Sequence, residues 1–300
     1  MRVLHILPHR GGGAETYLDL LQRLDGVDHM RMPLSSARTP LAAAPSIARN
    51  WPAIARAARS ADLVHAHGDV AAVLALPLRP LVWTTHGLHL LRRAPWFRPA
   101  VRAAVARSRI TLCCSEAERD ELAAFAPAGR LRVVPNGVDV PPARTREWGG
   151  VALYVGELTE RKDPLTAARA ARAAGMTLLV AGDGPLRDAV AAEGAQMLGH
   201  VADVAPLLDR ADVFVLPSHR EGISFAVLEA MAHGLAMVVS PASAEAVGDA
   251  GLVAPAGDVA AFTAALRAAT PAHGAAARDR VRAEYPVQRL LAGVRDAYGA

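Results

Sequence analysis

Residues 156–164 read GELTERKDP and hold Lys162, the one lysine in a chain whose 33 Lys and Arg residues are otherwise all arginine. A strand-like run ends at Gly156, and Asp163-Pro164 reads as the N-cap and first residue of a helix. Lys162 then sits just before a helix N-terminus, where the open amides and the helix dipole favour an anion. A flexible ammonium in that place can neutralise a phosphate as a point charge. The plain alternative is a solvated surface lysine. A second stretch, SHREGISFAVLEAMAHG (218–234), repeats the arrangement. A strand runs into a loop, a helix begins near Ser224, and Gly234 serves as its C-cap. Glu221 precedes the helix and Glu229 lies within it. The amides of residues 222–225 (Gly222, Ser224 and Phe225 among them) form a second anion-facing terminus, and the two carboxylates can accept hydrogen bonds from sugar or ribose hydroxyls. The alternative there is one exposed Glu and one capping Glu, with Phe225, Leu228 and Met231 as a core stripe at helical spacing.

Three further stretches carry candidate chemistry. GGGAETYLDLL (11–21) follows the first strand-like run, and Gly12 and Gly13 let the backbone approach a ligand closely; it is neither GxGxxG nor a phosphate loop with a lysine. AGDGPL (181–186) is a similar glycine turn with its backbone at positive φ. VHAHG supplies His65 and His67, on one sheet face by alternation, and TTHGLH supplies His86 and His89. A histidine at the carboxyl end of a strand can face a ligand; the alternative is a structural core histidine. These loops lack a third carboxylate or thiolate ligand at a recognisable spacing, so no metal is expected. LLRRAPWFRPAVRAAVARSR (90–109) sets Arg92, Arg93, Arg98 and Arg102 around Trp96 and Phe97. Basic residues beside aromatics suit an interfacial membrane contact, and equally a solvated helix face.

These residues need elements to position them, and the apolar pattern supplies them. Short β-branched runs (RVLHILP, LVHAH, LVWTTH, VALYVG, TLLVAG, VFVLPS, AMVVS) alternate with longer helical stretches, which predicts right-handed βαβ units and mostly parallel sheets. The pattern occurs twice. PNGVDVPPARTREWGG (135–150), rich in Pro and Gly, separates the two halves. The expectation is an α/β chain of two doubly wound, Rossmann-like domains facing across a cleft. They span 1–140 and 150–285, with a helix in 286–300 packing back on the first domain. Ligands in such sheets bind beyond the carboxyl ends of the strands.

The 300 residues are 52% hydrophobic with 4% aromatics, and the net charge is +4. The charge is uneven: residues 1–140 hold 18 Arg against 11 acidic residues, whereas residues 141–300 hold 15 basic against 18 acidic. A basic first half suggests an anionic partner. The absence of zinc-ligand spacing, of a basic region with heptads and of an aromatic RNA platform ranks nucleic acid low. The longest apolar runs, such as VAAVLALPL (70–78), fall short of the roughly 20 residues a membrane span needs. The N-terminal apolar stretch is too short for a secretory signal, and the adjacent Cys113 and Cys114 are a poor disulfide pair, which fits a reducing cytosol.

Taken in order, GGGAE, VHAHG, TTHGLH, CCSEAERDEL, RVVPNGVD, VGELTERKDP, VAGDGPL, LGHVADVAPLLDRADVFVLPS, EGISFAVLEAMAHG and AGLVAPAGD resemble the family 4 retaining glycosyltransferases of the GT-B fold. The resemblance covers nearly the whole chain. It implies that the second domain binds a nucleotide-sugar, UDP- or GDP-linked, with no metal and no separate cofactor. Lys162 would meet the diphosphate, Glu229 the ribose hydroxyls and Glu221 the sugar hydroxyls. The amides near Gly222, Ser224 and Phe225 would reach phosphate or sugar oxygens, and Gly199 to Val201 would flank the base. In the first domain Gly12 and Gly13 would approach the diphosphate and His86 the transferred sugar, with a glycan or lipid-linked acceptor mostly on that domain. Lys162, Glu221 and His86 are thus the catalytic candidates, in a cytoplasmic enzyme that can sit on the inner face of the membrane.

The chain departs from the family pattern at Glu157, where an Arg is usual, at Ala236, where a Pro is usual, and in the short loop SPASAEAVGDAG before and after Glu245. Arg161 is the candidate to replace the missing cation. These departures motivate a second reading, a catalytically weak nucleotide-sugar binder acting as a partner subunit, and a third, an epimerase or hydrolase of the same fold.

Overall fold

The computed structural model describes residues 1–8, 12–35, 40–78, 80–88, 91–92, 94–143 and 147–299. Gly11, His89 and Arg93 lie outside them. The first half builds β1 (Arg2–Leu7), β2 (Asp28–Pro33), β3 (Leu63–His67), β4 (Leu81–Thr84), β5 (Ile110–Cys113) and β6 (Leu131–Val133). They form one sheet in the order β2-β1-β3-β4-β5-β6, every pair parallel. The second half builds β7 (Val151–Val155), β8 (Thr177–Ala181), β9 (Gln196–Gly199), β10 (Val213–Leu216), β11 (Ala236–Val239) and β12 (Gly251–Val253). Their order is β12-β11-β10-β7-β8-β9, again all parallel.

Parallel strands are covered by helices on both faces, so their sequences run apolar without alternation. VFVL of β10 and AMVV of β11 are buried at every position, and so is LVHAH of β3, histidines included. Trp83 and Tyr17 fill the first core and Tyr154, Phe214 and Phe262 the second, all fully buried.

The strand orders locate the candidate ligand sites. In doubly wound sheets the chain reverses its direction of travel at one point, and the loops there diverge to leave a crevice at the strands' carboxyl ends. In the second sheet that point lies between β7 and β10, and in the first between β1 and β3. The loops after β7 and β10 carry Lys162 and Glu221; those after β1 and β3 carry Gly12 and Gly68.

The chain divides into one compact unit of residues 1–136 with 287–300 and a second of 137–286. The helix Val287–Tyr298 packs on the first sheet, where the Tyr298 hydroxyl lies 2.7 Å from His65 Nδ1 and Arg109 donates to the Tyr298 carbonyl at 3.0 Å. In the second unit Gly182 has φ of 150°, and a Cβ there would lie 1.9 Å from the Gly156 carbonyl oxygen. The glycine turn of AGDGPL is therefore a close packing of two loops, with Gly156 donating to Ala181 O and Gly182 to Gly199 O. Cys113 and Cys114 are buried free thiols.

Candidate active site

In the second unit the loop after β7 is pinned from below. The buried Tyr154 donates its hydroxyl proton toward the carbonyls of Glu157 (3.1 Å) and Lys162 (3.4 Å). Asp163 then takes the left-handed conformation, φ 47°, and its carboxylate accepts from the Thr166 amide at 3.2 Å to cap the helix Pro164–Ala174. A non-glycine residue adopts that conformation at a cost, and Asp is among the few that tolerate it. The turn folds Lys162 back toward the loop after β10, and His219 N donates to Arg161 O at 2.8 Å to join the two loops.

Three charged side chains converge there. Lys162 Nζ lies 2.7 Å from Glu221 Oε1, and Arg161 Nη1 lies 3.3 Å from the same oxygen. Their side chains are 12%, 23% and 8% exposed for Lys162, Arg161 and Glu221. Arg161 also donates to the Arg220 carbonyl at 2.9 Å, which fixes the guanidinium. Two cations on one carboxylate leave one positive charge in excess at the switch point of the sheet. Arg161 thus stands beside Lys162, while the side chain of Glu157, in the position of the usual family arginine, belongs to an exposed residue.

The helix after this loop runs Phe225–Ala232, with Ser224 as N-cap making no side-chain cap hydrogen bond and Gly234 in the left-handed conformation, φ 74°. Phe225, Leu228 and Met231 are buried, so only the backbone of Phe225 is available to a ligand. Gly222 is half-buried before the helix. Glu229 lies on the helix's less buried side. Burial, with Asp203 adding its negative charge, pushes its carboxyl up to about 7. Among the described residues no ion pair neutralises it. Gly199 ends β9 with φ 69°, and Val201 is half-buried beside it. Asp203, in the same loop, ties this segment electrostatically to Glu229.

In the first unit Gly12 has φ 81° and stands as N-cap of the helix Gly13–Leu21. An added Cβ there would meet nothing within 4 Å, so backbone conformation and not crowding calls for the glycine. His86 follows β4 in a turn of left-handed residues: His86 and Leu88 at φ 49°, Gly87 at 104°. The preceding Thr85 donates its hydroxyl to the buried carboxylate of Glu118, which also accepts from Cys114 N at 3.1 Å. His65 and His67 lie side by side on one face of β3, their rings tilted by 31° with centroids 4.2 Å apart. His67 Nδ1 is 2.9 Å from His86 Nε2, and its Nε2 is 3.0 Å from His5 Nδ1. His5 supplies the third imidazole that spacing along VHAHG and TTHGLH does not contain. Its signal is only its place in RVLHILP, inward on a strand that pairs with β3 in register His5 to His65.

Two parallel six-stranded doubly wound sheets, one in each unit, are the architecture of the GT-B fold. The glycosyltransferase family 4 model matches residues 5–141, and the model for glycosyl transferases group 1 matches residues 149–270. A glycogen synthase of Mycobacterium tuberculosis is 31% identical over 282 residues, covering 79% of this chain and 68% of that protein. A GDP-mannose:cellobiosyl-diphosphopolyprenol alpha-mannosyltransferase of Xanthomonas oryzae is 32% identical over 265 residues, covering 75% of this chain and 67% of the relative. The crystal structure of Anabaena HepE in complex with UDP-glucose superposes with a TM-score of 0.81 at 17% identity, covering 100% of this chain and 99% of that one; at that identity the match speaks for the fold. The chain belongs to glycosyltransferase family 4 and is a transferase enzyme.

Proposed function

We propose that this enzyme moves a sugar, with retention at the anomeric carbon and without a metal, from a nucleoside-diphosphate sugar to a lipid-linked glycan. The observation that carries the reading is the convergence of Lys162 and Arg161 on Glu221 at the switch point of the second sheet. As the glycosidic bond to the diphosphate breaks, negative charge grows on the leaving phosphate. Preorganised cations and helix amides, already held before the reaction, meet that charge without reorganising. Lys162 is the mobile donor of the pair, and Arg161 the fixed one. The excess positive charge of the cluster matches an incoming diphosphate, and Glu221, relieved of part of its ion pairing, accepts a sugar hydroxyl. Glu229 accepts from the ribose. Among the site's carboxylates we assign Glu221 to the neighbourhood of the anomeric carbon, and both its cations hold it as an anchored acceptor. We therefore favour same-face attack assisted by the leaving phosphate over a covalent glycosyl-enzyme.

The relative that transfers mannose to a diphosphopolyprenol-linked disaccharide and the fold neighbour holding UDP-glucose support this choice of substrate classes. The test is turnover of UDP-glucose and GDP-mannose with a polyprenyl-diphosphate-linked sugar in EDTA. NMR of the product should show the donor's anomeric configuration. An inverted product, a trapped adduct on Glu221, or activity lost to EDTA and restored by Mg²⁺ would each defeat a part of the reading.

A lipid-linked acceptor calls for work at a membrane surface. Among the described residues no helix is long and apolar enough to cross a membrane. Trp96 is 80% exposed at the start of the helix Arg98–Arg107. Most of the neighbouring arginines are engaged: Arg92 pairs with Glu121 at 2.8 Å, Arg102 donates to Phe125 O at 2.9 Å, and Arg98 lies 5.5 Å from the centre of the Phe125 ring. The exposed indole therefore leads the contact, and the arginines attract the surface. Vesicles of anionic lipid are expected to sediment the protein at low salt, and Trp96→Ser with Arg98→Gln to abolish this. Equal sedimentation of the double variant would remove this segment from the interface.

A further inference from the structure

Five histidines of the first unit stand closer together than the proposed transfer requires. His29 Nδ1 lies 2.8 Å from His5 Nε2, His5 Nδ1 lies 3.0 Å from His67 Nε2, and His67 Nδ1 lies 2.9 Å from His86 Nε2. The chain of rings crosses three neighbouring strands, from β2 through β1 to β3, and ends on the turn after β4. His5 and His67 are fully buried, whereas His29 and His86 are partly exposed.

Each contact joins an Nδ1 to an Nε2, so the rings run head to tail. A neutral imidazole carries one proton and one lone pair. Every contact needs one donor and one acceptor. Only two arrangements satisfy all three contacts: the proton on Nδ1 in all four rings, or on Nε2 in all four. Any mixture sets two lone pairs or two N–H groups against each other where water cannot relieve them. Burial holds His5 and His67 well below the ordinary histidine range, with neighbouring histidines adding to it, so the middle of the chain stays neutral.

A cation site is the competing use of these residues. His5, His65 and His67 bring one ligating atom each within 4.8 Å of one another. Yet every ring nitrogen of the three already has a partner. His5 meets His67 and His29, and His67 meets His5 and His86. His65 meets the Tyr298 hydroxyl and the Thr84 hydroxyl, each at 2.7 Å. A cation would have to break that set.

We propose that His29, His5, His67 and His86 form a tautomeric relay, in which protonating His29 on the outer strand forces the proton of His86 from Nε2 onto Nδ1. The proton count balances. Starting from Nε2–H throughout, one solvent proton arrives at His86 Nδ1, and each bridging proton hops one contact toward His29. The extra charge then resides on His29, which has both nitrogens protonated, and the other three rings carry their protons on Nδ1. His86 Nδ1, 3.9 Å from Cys114 Sγ, thereby changes from acceptor to donor.

Among the described residues these groups face the two ends. His29 faces Arg31 and Asp28 on its own strand, the Leu21 carbonyl at the end of the helix Gly13–Leu21, and His5. His86 faces the edge-on Tyr17 ring at 4.9 Å, Cys114 and His67, with Glu118 held one residue away by Thr85. What the switch does for sugar transfer rests on the reading that His86 meets the transferred sugar. The relay itself does not.

The experiment is long-range ¹H–¹⁵N NMR of the full chain labelled in histidine, from about pH 8 to about pH 5, with His86 assigned by its loss in His86→Asn. In the wild type the proton on His86 is expected to move from Nε2 to Nδ1 with the midpoint of His29, below the ordinary histidine value. His29→Phe, at the partly exposed end, should abolish the move without unfolding the protein, and His5→Phe should abolish it from the middle. If His86 titrates alike in wild type and His29→Phe, the relay is overturned. It is overturned too if Zn²⁺ binds one to one and shifts His5, His65 and His67 together. The pH profile of kcat/KM is the second arm. A relay intact by NMR with the same profile in His29→Phe removes only the role given to His86.

Discussion

Replacing Lys162 by alanine is expected to lower kcat/KM for sugar transfer by about a thousandfold, the loss of one well-placed charge donor to a transition state in a site shielded from water. A thousandfold is about 4 kcal/mol. Two unit charges about 4 Å apart interact by about 4 kcal/mol at an effective dielectric of 20, so one ammonium at 2.7 Å from a carboxylate that an incoming diphosphate displaces is sufficient. The fold should survive, because Arg161 remains on Glu221 and Tyr154 still holds the loop through two carbonyls. Lys162→Arg should recover part of the rate, since the charge returns on a bulkier and less mobile group. In a thermal-shift assay the wild type should gain stability with one nucleoside diphosphate in the presence of EDTA, and the alanine variant should not. A kcat/KM within threefold of wild type would reduce Lys162 to a structural partner of Glu221.

Glu229→Gln is the second variant, and its effect should change sign between stability and binding. The Glu229 carboxyl titrates at about 7 in the folded protein because burial and Asp203 oppose its ionisation. An acid whose folded pKa is raised above its unfolded value costs stability once it ionises. The folded state therefore weakens as pH rises from the unfolded value, near 4.5, through about 7. At about 1.4 kcal/mol per pKa unit the full cost above pH 7 is on the order of 3–4 kcal/mol. Glutamine cannot ionise. The variant should match wild type near pH 4 and exceed it by about 3 kcal/mol near pH 8, roughly 6–12 °C in Tm for a unit of this size. Nucleotide affinity should fall about 10- to 100-fold, the range for losing a charged hydrogen-bond acceptor. Wild-type affinity should also weaken as pH falls through about 7. Equal pH slopes for both proteins would show that Glu229 is not held protonated by its surroundings. Unchanged affinity would remove it from the ribose.

What could be read in the sequence followed from local rules. Asp163-Pro164 and Ser224 mark helix starts by their chemistry, and Gly156 and Gly182 mark turns, so Lys162 and Glu221 fall at carboxyl ends of strands before any coordinates are seen. Alternation alone puts His65 and His67 on one face. The strand order within each sheet was not readable, because nothing local says that β10 pairs with β7 or that β1 lies between β2 and β3. Every missed residue follows from that. His5 and His29 join His67 only through neighbouring strands, with His5 opposite His65 in register. Arg161 was read as a substitute for the arginine replaced by Glu157, but its grip on Glu221 depends on two loops from adjacent strands. Asp203 gave no signal at all, since its influence on Glu229 crosses from the end of β9 to a helix after β10.

The last helix has a consequence for how this protein comes to be folded. Tyr298 completes the hydrogen bonding of His65, and Arg109 waits for the Tyr298 carbonyl. Residues 137–286 are contiguous, whereas the unit made of 1–136 and 287–300 is interrupted by them. On the ribosome, where domains form as units in the order their residues emerge, the half that is begun first is therefore finished last. The second unit can close while the buried histidines of the first still lack their final partner. Slow synthesis through residues 137–286 would lengthen the life of that open half.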